Sequence, residues 1–175
     1  MKIIKKEDFV TTNWSGGTTS ELIIKPKSSV VSERNFDLRV SSATCDLDSS
    51  VFTPYNGYMR YITPLDGELK LKNGNKDILL KPYEIYYFSG SDDVVGLSKV
   101  RDFNLILKDG MDNSMYTLDI NEDLLFNAEK EVLIFNYESN AFVDGKEFDK
   151  FSAIVLEKGE EIKLSFDKPL LVCEI

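Results

Sequence analysis

Short runs of β-branched and aromatic residues recur along this chain, each stopped by Gly, Pro, Asn or Asp, and this pattern restricts it to an antiparallel all-β fold with little helix. In "FDLRVSSA", Phe36, Leu38, Val40 and Ser42 alternate with Asp37, Arg39, Ser41 and Ala43, so a strand here has one apolar face and one polar face. Further strands are expected at "TTSELII" from Thr18, "GYMRYI" from Gly57, "GELKL" from Gly67, "DILL" from Asp77, "EIYYF" from Glu84 and "FNLIL" from Phe103. The later third repeats the theme with "EVLIF" from Glu131, "FSAIVLEKGEEIKLSF" from Phe151 and "PLLVCEI" at the end. Asp66-Gly67, Asn73-Gly74 and Asp144-Gly145 are hairpin signals, because such pairs tolerate the positive φ of tight turns.

Two strand-rich halves follow, with boundaries at 1–112 and 113–175, the shorter one either standing alone or completed by strands of the N-terminal segment. Aligning the Asp-Gly pairs at 66 and 144 brings "ILLKPYE" from Ile78 beside "IVLEKGE" from Ile154, a weak internal repeat in which a strand leads into a turn closed by glutamate. "DINEDLLFNAEKE" from Asp119, with acids early and a lysine late, reads as a linker carrying a short helix.

Chemistry is narrowed by what is missing. None of the 175 residues is histidine, so His-based triads and imidazole-ligated metals lose their central part. Ligand affinity is expected to stay nearly flat between about pH 6 and 8 unless the ligand or a shifted group titrates, a steep change implicating a perturbed carboxylate or cysteine. A formal charge of −9 argues against binding to nucleic-acid phosphates or anionic lipid. Cys45 and Cys173 lack CxxC spacing and read as separate thiols. Ser91, Asp92 and Asp93 lack the spaced acids of a calcium loop, so neither metal nor cofactor is expected. Met1–Lys6 is too charged for a signal sequence and no apolar run approaches the roughly 20 residues of a membrane helix, so a cytoplasmic protein is expected.

Near the N-terminus, "NWSGGTTSE" sets Trp14, two glycines and Glu21 just before an apolar strand. No lysine follows the glycines and a strand, not a helix, is expected next, which argues against a phosphate loop. This segment, followed by "FDLRVSSA", "FTPYNGYMRYITPLDG", "YFSG" and "RDFNLIL", resembles the HutD/Ves family over Trp14–Leu107. The resemblance implies a bicupin, two consecutive jelly-roll β-barrels in one chain, and a small-molecule binding protein with no firmly attached enzymatic activity. In some bacteria the gene lies with those of histidine degradation, which implies a regulatory role. The loop after Trp14 is two residues shorter than in many members.

Arg60, at the "GxxR" position of the resemblance, shares a face with Tyr58 and Ile62. Its guanidinium suits bidentate capture of a carboxylate, and a small organic acid is the expected ligand. The bland alternative is an internal ion pair with Glu21 or Asp102. Asp102 and Asn104 share a strand face and are expected to line the same lumen, or else a polar outer face. Trp14, Tyr58, Phe88 and Gly90 are expected to complete its wall, each being more often a core position than a ligand contact. Arg39 either adds a second cation or, as the favoured reading, faces solvent. Two other readings remain open: a metal-free isomerase or lyase using Glu21, Asp102 or a tyrosine as proton carrier, and an interaction protein with a vestigial pocket that forms a homodimer through a sheet edge.

Overall fold

The computed structural model describes residues 1–175, built from strands and turns with two short 3-10 segments at Lys6–Asp8 and Val31–Glu33. No helix is long and apolar enough to cross a membrane. The chain divides into two units: Val10–Asp112, here the first, and Met1–Phe9 with Asn113–Ile175, the second. After β1 (Lys2–Ile4) in the second unit, the first unit holds β2 (Val10–Trp14), β3 (Gly17–Lys25), β4 (Leu38–Thr44), β5 (Ser50–Val51), β6 (Tyr58–Pro64), β7 (Leu69–Asn73), β8 (Lys76–Leu80), β9 (Tyr86–Ser89), β10 (Val94–Gly96) and β11 (Arg101–Lys108). The second unit resumes with β12 (Met115–Leu118), β13 (Asn121–Asn127), β14 (Val132–Asn136), β15 (Ala141–Val143), β16 (Lys146–Phe148), β17 (Ser152–Leu156), β18 (Glu161–Phe166) and β19 (Leu170–Glu174).

Each unit contains two sheets. In the first they run β2-β3-β4-β11-β6-β9 and β5-β10-β7-β8; in the second, β12-β19-β14-β17-β1 and β13-β18-β15-β16. Adding eight to each label in β4-β11-β6-β9 and β5-β10-β7-β8 reproduces the order in the second unit, so one topology occurs twice in the chain. The matching hairpins are those that close with Asn73 opposite Lys76 and Val143 opposite Lys146, which differs from the register obtained by aligning the Asp-Gly pairs at 66 and 144. The "ILLKPYE" and "IVLEKGE" segments nevertheless share a local turn. Glu84 and Glu160 each accept the backbone N–H of the residue three positions earlier, at 2.8 Å, and the residues before them, Tyr83 and Gly159, have φ of 67° and 85°.

Two of the three turn signals act differently from a simple hairpin. Asp144-Gly145 is the loop of a two-residue hairpin, with both φ values positive. At the other hairpin the loop is Gly74-Asn75, because Asn73 is still paired with Lys76. Asp66-Gly67 carries the chain from one sheet to the other, and the Asp66 carboxylate accepts the Arg101 backbone N–H at 2.6 Å. The expected helical linker at Asp119–Glu131 is instead strand β13, paired with β18. Leu124 and Phe126 alternate onto the core of the second unit, and that pairing overrides the charge pattern that resembled a helix.

Register explains the site. Ile106 lies opposite Arg39 on one side and Arg60 on the other, and Arg60 lies opposite Phe88. Directly opposed residues share a face, so Arg39, Ile106, Arg60 and Phe88 form one transverse row, with Ser41, Asn104 and Ile62 as the next. The other face carries Leu38, Val40, Phe103 and Leu105, all fully buried. In the second unit the corresponding strands β19, β14 and β17 carry a row of Val172, Ile134 and Ile154, which join an apolar core with Leu164 and Phe166.

Gly90 braces the loop after β5. Its N–H donates to the Tyr58 carbonyl, and its own carbonyl accepts from the Tyr55 N–H, both at 2.7 Å. A Cβ there would press on the backbone carbonyls of Tyr55 and Tyr58. Gly90→Ala should therefore cost about 1–3 kcal/mol, read as a lower denaturation midpoint. An unchanged midpoint would show that this loop yields without cost.

Candidate functional site

A cavity of about 480 Å³ in the first unit is lined from both of its sheets. Arg39, Ser41, Arg60, Asp102 and Asn104 reach it from the six-stranded sheet. Ser50, Val51, Leu69 and Gly96 face them from the smaller sheet, and Phe52, Thr53 and Tyr55 come from the connection between β5 and β6. Trp14 stands at the rim, 38% exposed.

Arg60 is buried, at 8% exposure, and its surroundings are mostly aromatic. The guanidinium carbon lies 5.0 Å from the ring centre of Phe52, 5.2 Å from that of Phe88 and 5.7 Å from that of Tyr55. Such faces attract a cation through the ring quadrupole. Nη2 donates to Asn104 Oδ1 at 3.0 Å, and Nη1 reaches the Thr53 carbonyl only at 3.5 Å, the outer limit of a hydrogen bond. Nε is buried without a partner. Of five N–H donors, two are therefore occupied, and no carboxylate contacts the group directly.

The nearest countercharge acts through an intermediary. Asn104 accepts from Arg60 with its carbonyl and donates from Nδ2 to Asp102 Oδ1 at 2.6 Å, so its amide dipole points from cation to anion. Burial pushes Asp102 up to about 7, against the opposing pull of Arg60, the Asn104 hydrogen bond and the Ala43 backbone. Burial likewise lowers Arg60, and Asp102 opposes it. A guanidinium begins so high that it stays charged. Asp102 is thus a shifted group of the kind excepted from the near-flat response expected between pH 6 and 8.

Arg39 faces the cavity rather than solvent. Its Nε donates to Glu21 Oε2 at 2.8 Å, and both side chains are largely buried. Glu21 is therefore committed to Arg39 and is not part of the wall, which removes it as a partner for Arg60. The Tyr58 hydroxyl lies 2.7 Å from the carbonyls of both Arg34 and Phe36, in an apolar cluster with Tyr55 and Ile106. Phe88 covers the guanidinium but does not line the cavity, and Gly90 acts through the backbone. Phe52, Thr53 and Tyr55 were not singled out from the sequence. The signal lay in "FTPYNG", aromatic residues in a Pro/Gly turn directly before the Arg60 strand. No group of three or more Cys, Asp or Glu is placed to hold a metal ion.

The Asp102 shift also acts on folding. Between about pH 4 and 7 the folded chain keeps a proton that the unfolded chain has released, so stability falls as pH rises through that window and levels off above it. The shift from 3.8 to about 7 corresponds to a loss on the order of 4 kcal/mol. Unfolding midpoints measured from pH 5 to 8 should decline in the wild type, and Asp102→Asn should flatten that decline. Parallel profiles would place the carboxyl outside the titration.

The HutD family profile matches residues 6–173. The chain is similar in fold to HutD from Pseudomonas fluorescens SBW25, with 22% identity, a TM-score of 0.81, and 99% of this chain and 96% of that one covered. It is similar to PA5104, a conserved protein of unknown function from Pseudomonas aeruginosa PAO1, with 22% identity, a TM-score of 0.79 and coverages of 98% and 95%. Nickel-bound bacterial pirin YhhW from Escherichia coli shares the fold at 9% identity, with a TM-score of 0.69 and coverages of 98% and 97%. No curated protein sequence matches. The profile spans nearly the whole length, and the chain belongs to the HutD family.

Proposed function

We propose that this protein binds a small organic acid in the first unit without transforming it, and that Arg60 is the anchor. The observation that carries the reading is a buried guanidinium on a cavity wall with three of its five N–H donors unmatched and no direct carboxylate contact. An isolated buried charge is costly, and a ligand carboxylate would supply the missing acceptors in bidentate geometry. A volume of about 480 Å³ suits a metabolite-sized ligand. Among fold neighbours, the vicilin from Solanum melongena, at 9% identity and a TM-score of 0.65, is described as having different anionic ligands in structurally similar pockets.

The twofold strand order supports reading the units as two cupin barrels, as does likeness to a Cupin 2 conserved barrel domain protein from Leptotrichia buccalis, with 13% identity and a TM-score of 0.60. The nickel of YhhW does not fit this donor set. The cavity wall offers one carboxylate, Asp102, and one thiol, Cys45, beside two guanidiniums that would repel a cation. The protein would act in the cytoplasm, and the resemblance to the HutD/Ves family makes acids of histidine breakdown the first candidates for sensing or buffering. A second reading rests on Asp102 alone: a carboxyl that titrates near 7 on a cavity wall is suited to moving a proton, as an isomerase or lyase would require.

Thermal melts against a panel of small carboxylates test the first reading. Saturating acid, at about 100 times its Kd, should stabilise the wild type by about 2.7 kcal/mol, and Arg60→Ala should abolish the shift. A panel that leaves the wild-type melt unmoved would overturn it. Turnover of a stabilising acid, lost in Asp102→Asn, would establish the second.

A further inference from the structure

The polar chain Asp102–Asn104–Arg60 has a consequence for uptake. We propose that the cavity takes up its carboxylate together with one proton, which comes from solvent and is held on Asp102 while the ligand stays ionised. The proposal rests on the reading of Arg60 as an acid anchor and specifies how that site is regulated.

The argument is geometric. Arg60 is linked to one anion already, through an amide that spends its carbonyl on the guanidinium and its Nδ2 on Asp102 at 2.6 Å. A ligand carboxylate on the remaining Arg60 donors would put a second anion into the same poorly hydrated space. Two carboxylates that share one guanidinium cannot both stay ionised cheaply, and the buried one takes the proton. Asp102 is that one: it is buried, has no direct cationic contact, and burial already raises it to about 7 before any ligand arrives. Once protonated it still accepts from Asn104, and the full charge of Arg60 is released toward the ligand.

The other charges around Asp102 leave this balance in place. Arg39 on β4 is neutralised by Glu21 on β3. Arg101, its neighbour on β11, donates Nη1 to Ser42 Oγ, and Ala43 and Pro64 stand opposite Asp102 on the flanking strands. The facing sheet contributes Ser50, Val51, Leu69 and Gly96, none of them charged, and the remaining titratable groups on the wall are Tyr55 and Cys45.

Calorimetric titration with benzoate and with acetate, both predominantly ionised from pH 5.5 to 8.5, provides the test. Kd should change less than about twofold between pH 5.5 and 6.5 and rise about fivefold between pH 7 and 8. Two buffers of different ionisation enthalpy should report about one proton absorbed per acid bound at pH 8 and almost none at pH 5.5. Asp102→Asn, which mimics the protonated carboxyl, should bind with flat pH dependence and more tightly than wild type at pH 8. The proton count in wild type decides the matter even where that variant folds poorly. Binding with a flat Kd and no proton uptake overturns the coupling while sparing the anchor. Absence of binding by both acids at every pH overturns both.

Discussion

A guanidinium withdrawn from water needs its charge answered, and in the first unit the answer to Arg60 is incomplete. Three aromatic faces and one amide oxygen offset part of the desolvation cost, while the nearest anion is held one residue further away by Asn104. This explains the arrangement around the cavity. β11 must lie between β4 and β6 for Asn104 to reach Arg60, and the β5–β6 connection must fold inward for Phe52 and Tyr55 to cover it. Gly90 in turn permits that fold, because its backbone hydrogen-bonds to both Tyr55 and Tyr58.

The duplicated topology provides an internal contrast. In the second unit β14, the counterpart of β6 in the strand order, turns Val132 and Ile134 inward, with Leu156 and Ile154 opposite them on β17. Apolar side chains of this kind interdigitate and fill the space between sheets. Charged ones hold it open, because a guanidinium and a carboxylate cannot pack against a facing Leu without losing their remaining polar partners. One topology thus yields a packed core in one unit and a cavity in the other, and the difference is set by a few side chains on one face of a sheet.

Much of this was legible from local pattern. Alternation in "FDLRVSSA" and "RDFNLIL" separates the faces correctly, since strand geometry alone dictates it. Which charges meet was not legible, because that depends on strand order. Arg39 and Glu21 are 18 residues apart and become partners only when β3 and β4 pair. The same limit explains β13. Its acids, with Lys130 after it, describe a helix as well as an exposed strand face, and only β18 beside it decides the matter. Phe52 and Tyr55 were missed for another reason: aromatics in a loop carry no periodicity, and their role depends on which way the loop folds.

A chain without histidine lacks the side chain that ordinarily titrates near neutral pH. The fold supplies a substitute by a different route. An ordinary carboxyl, placed where water is scarce and its cation stands one amide away, titrates at about 7. Direct contact with Arg60 would lower it, and full solvent exposure would return it to its usual range. Only the indirect placement, with Asn104 between the charges, leaves Asp102 raised while keeping Arg60 available on the cavity side. The insertion of one amide therefore sets both the proton affinity of the acid and the anion affinity of the base.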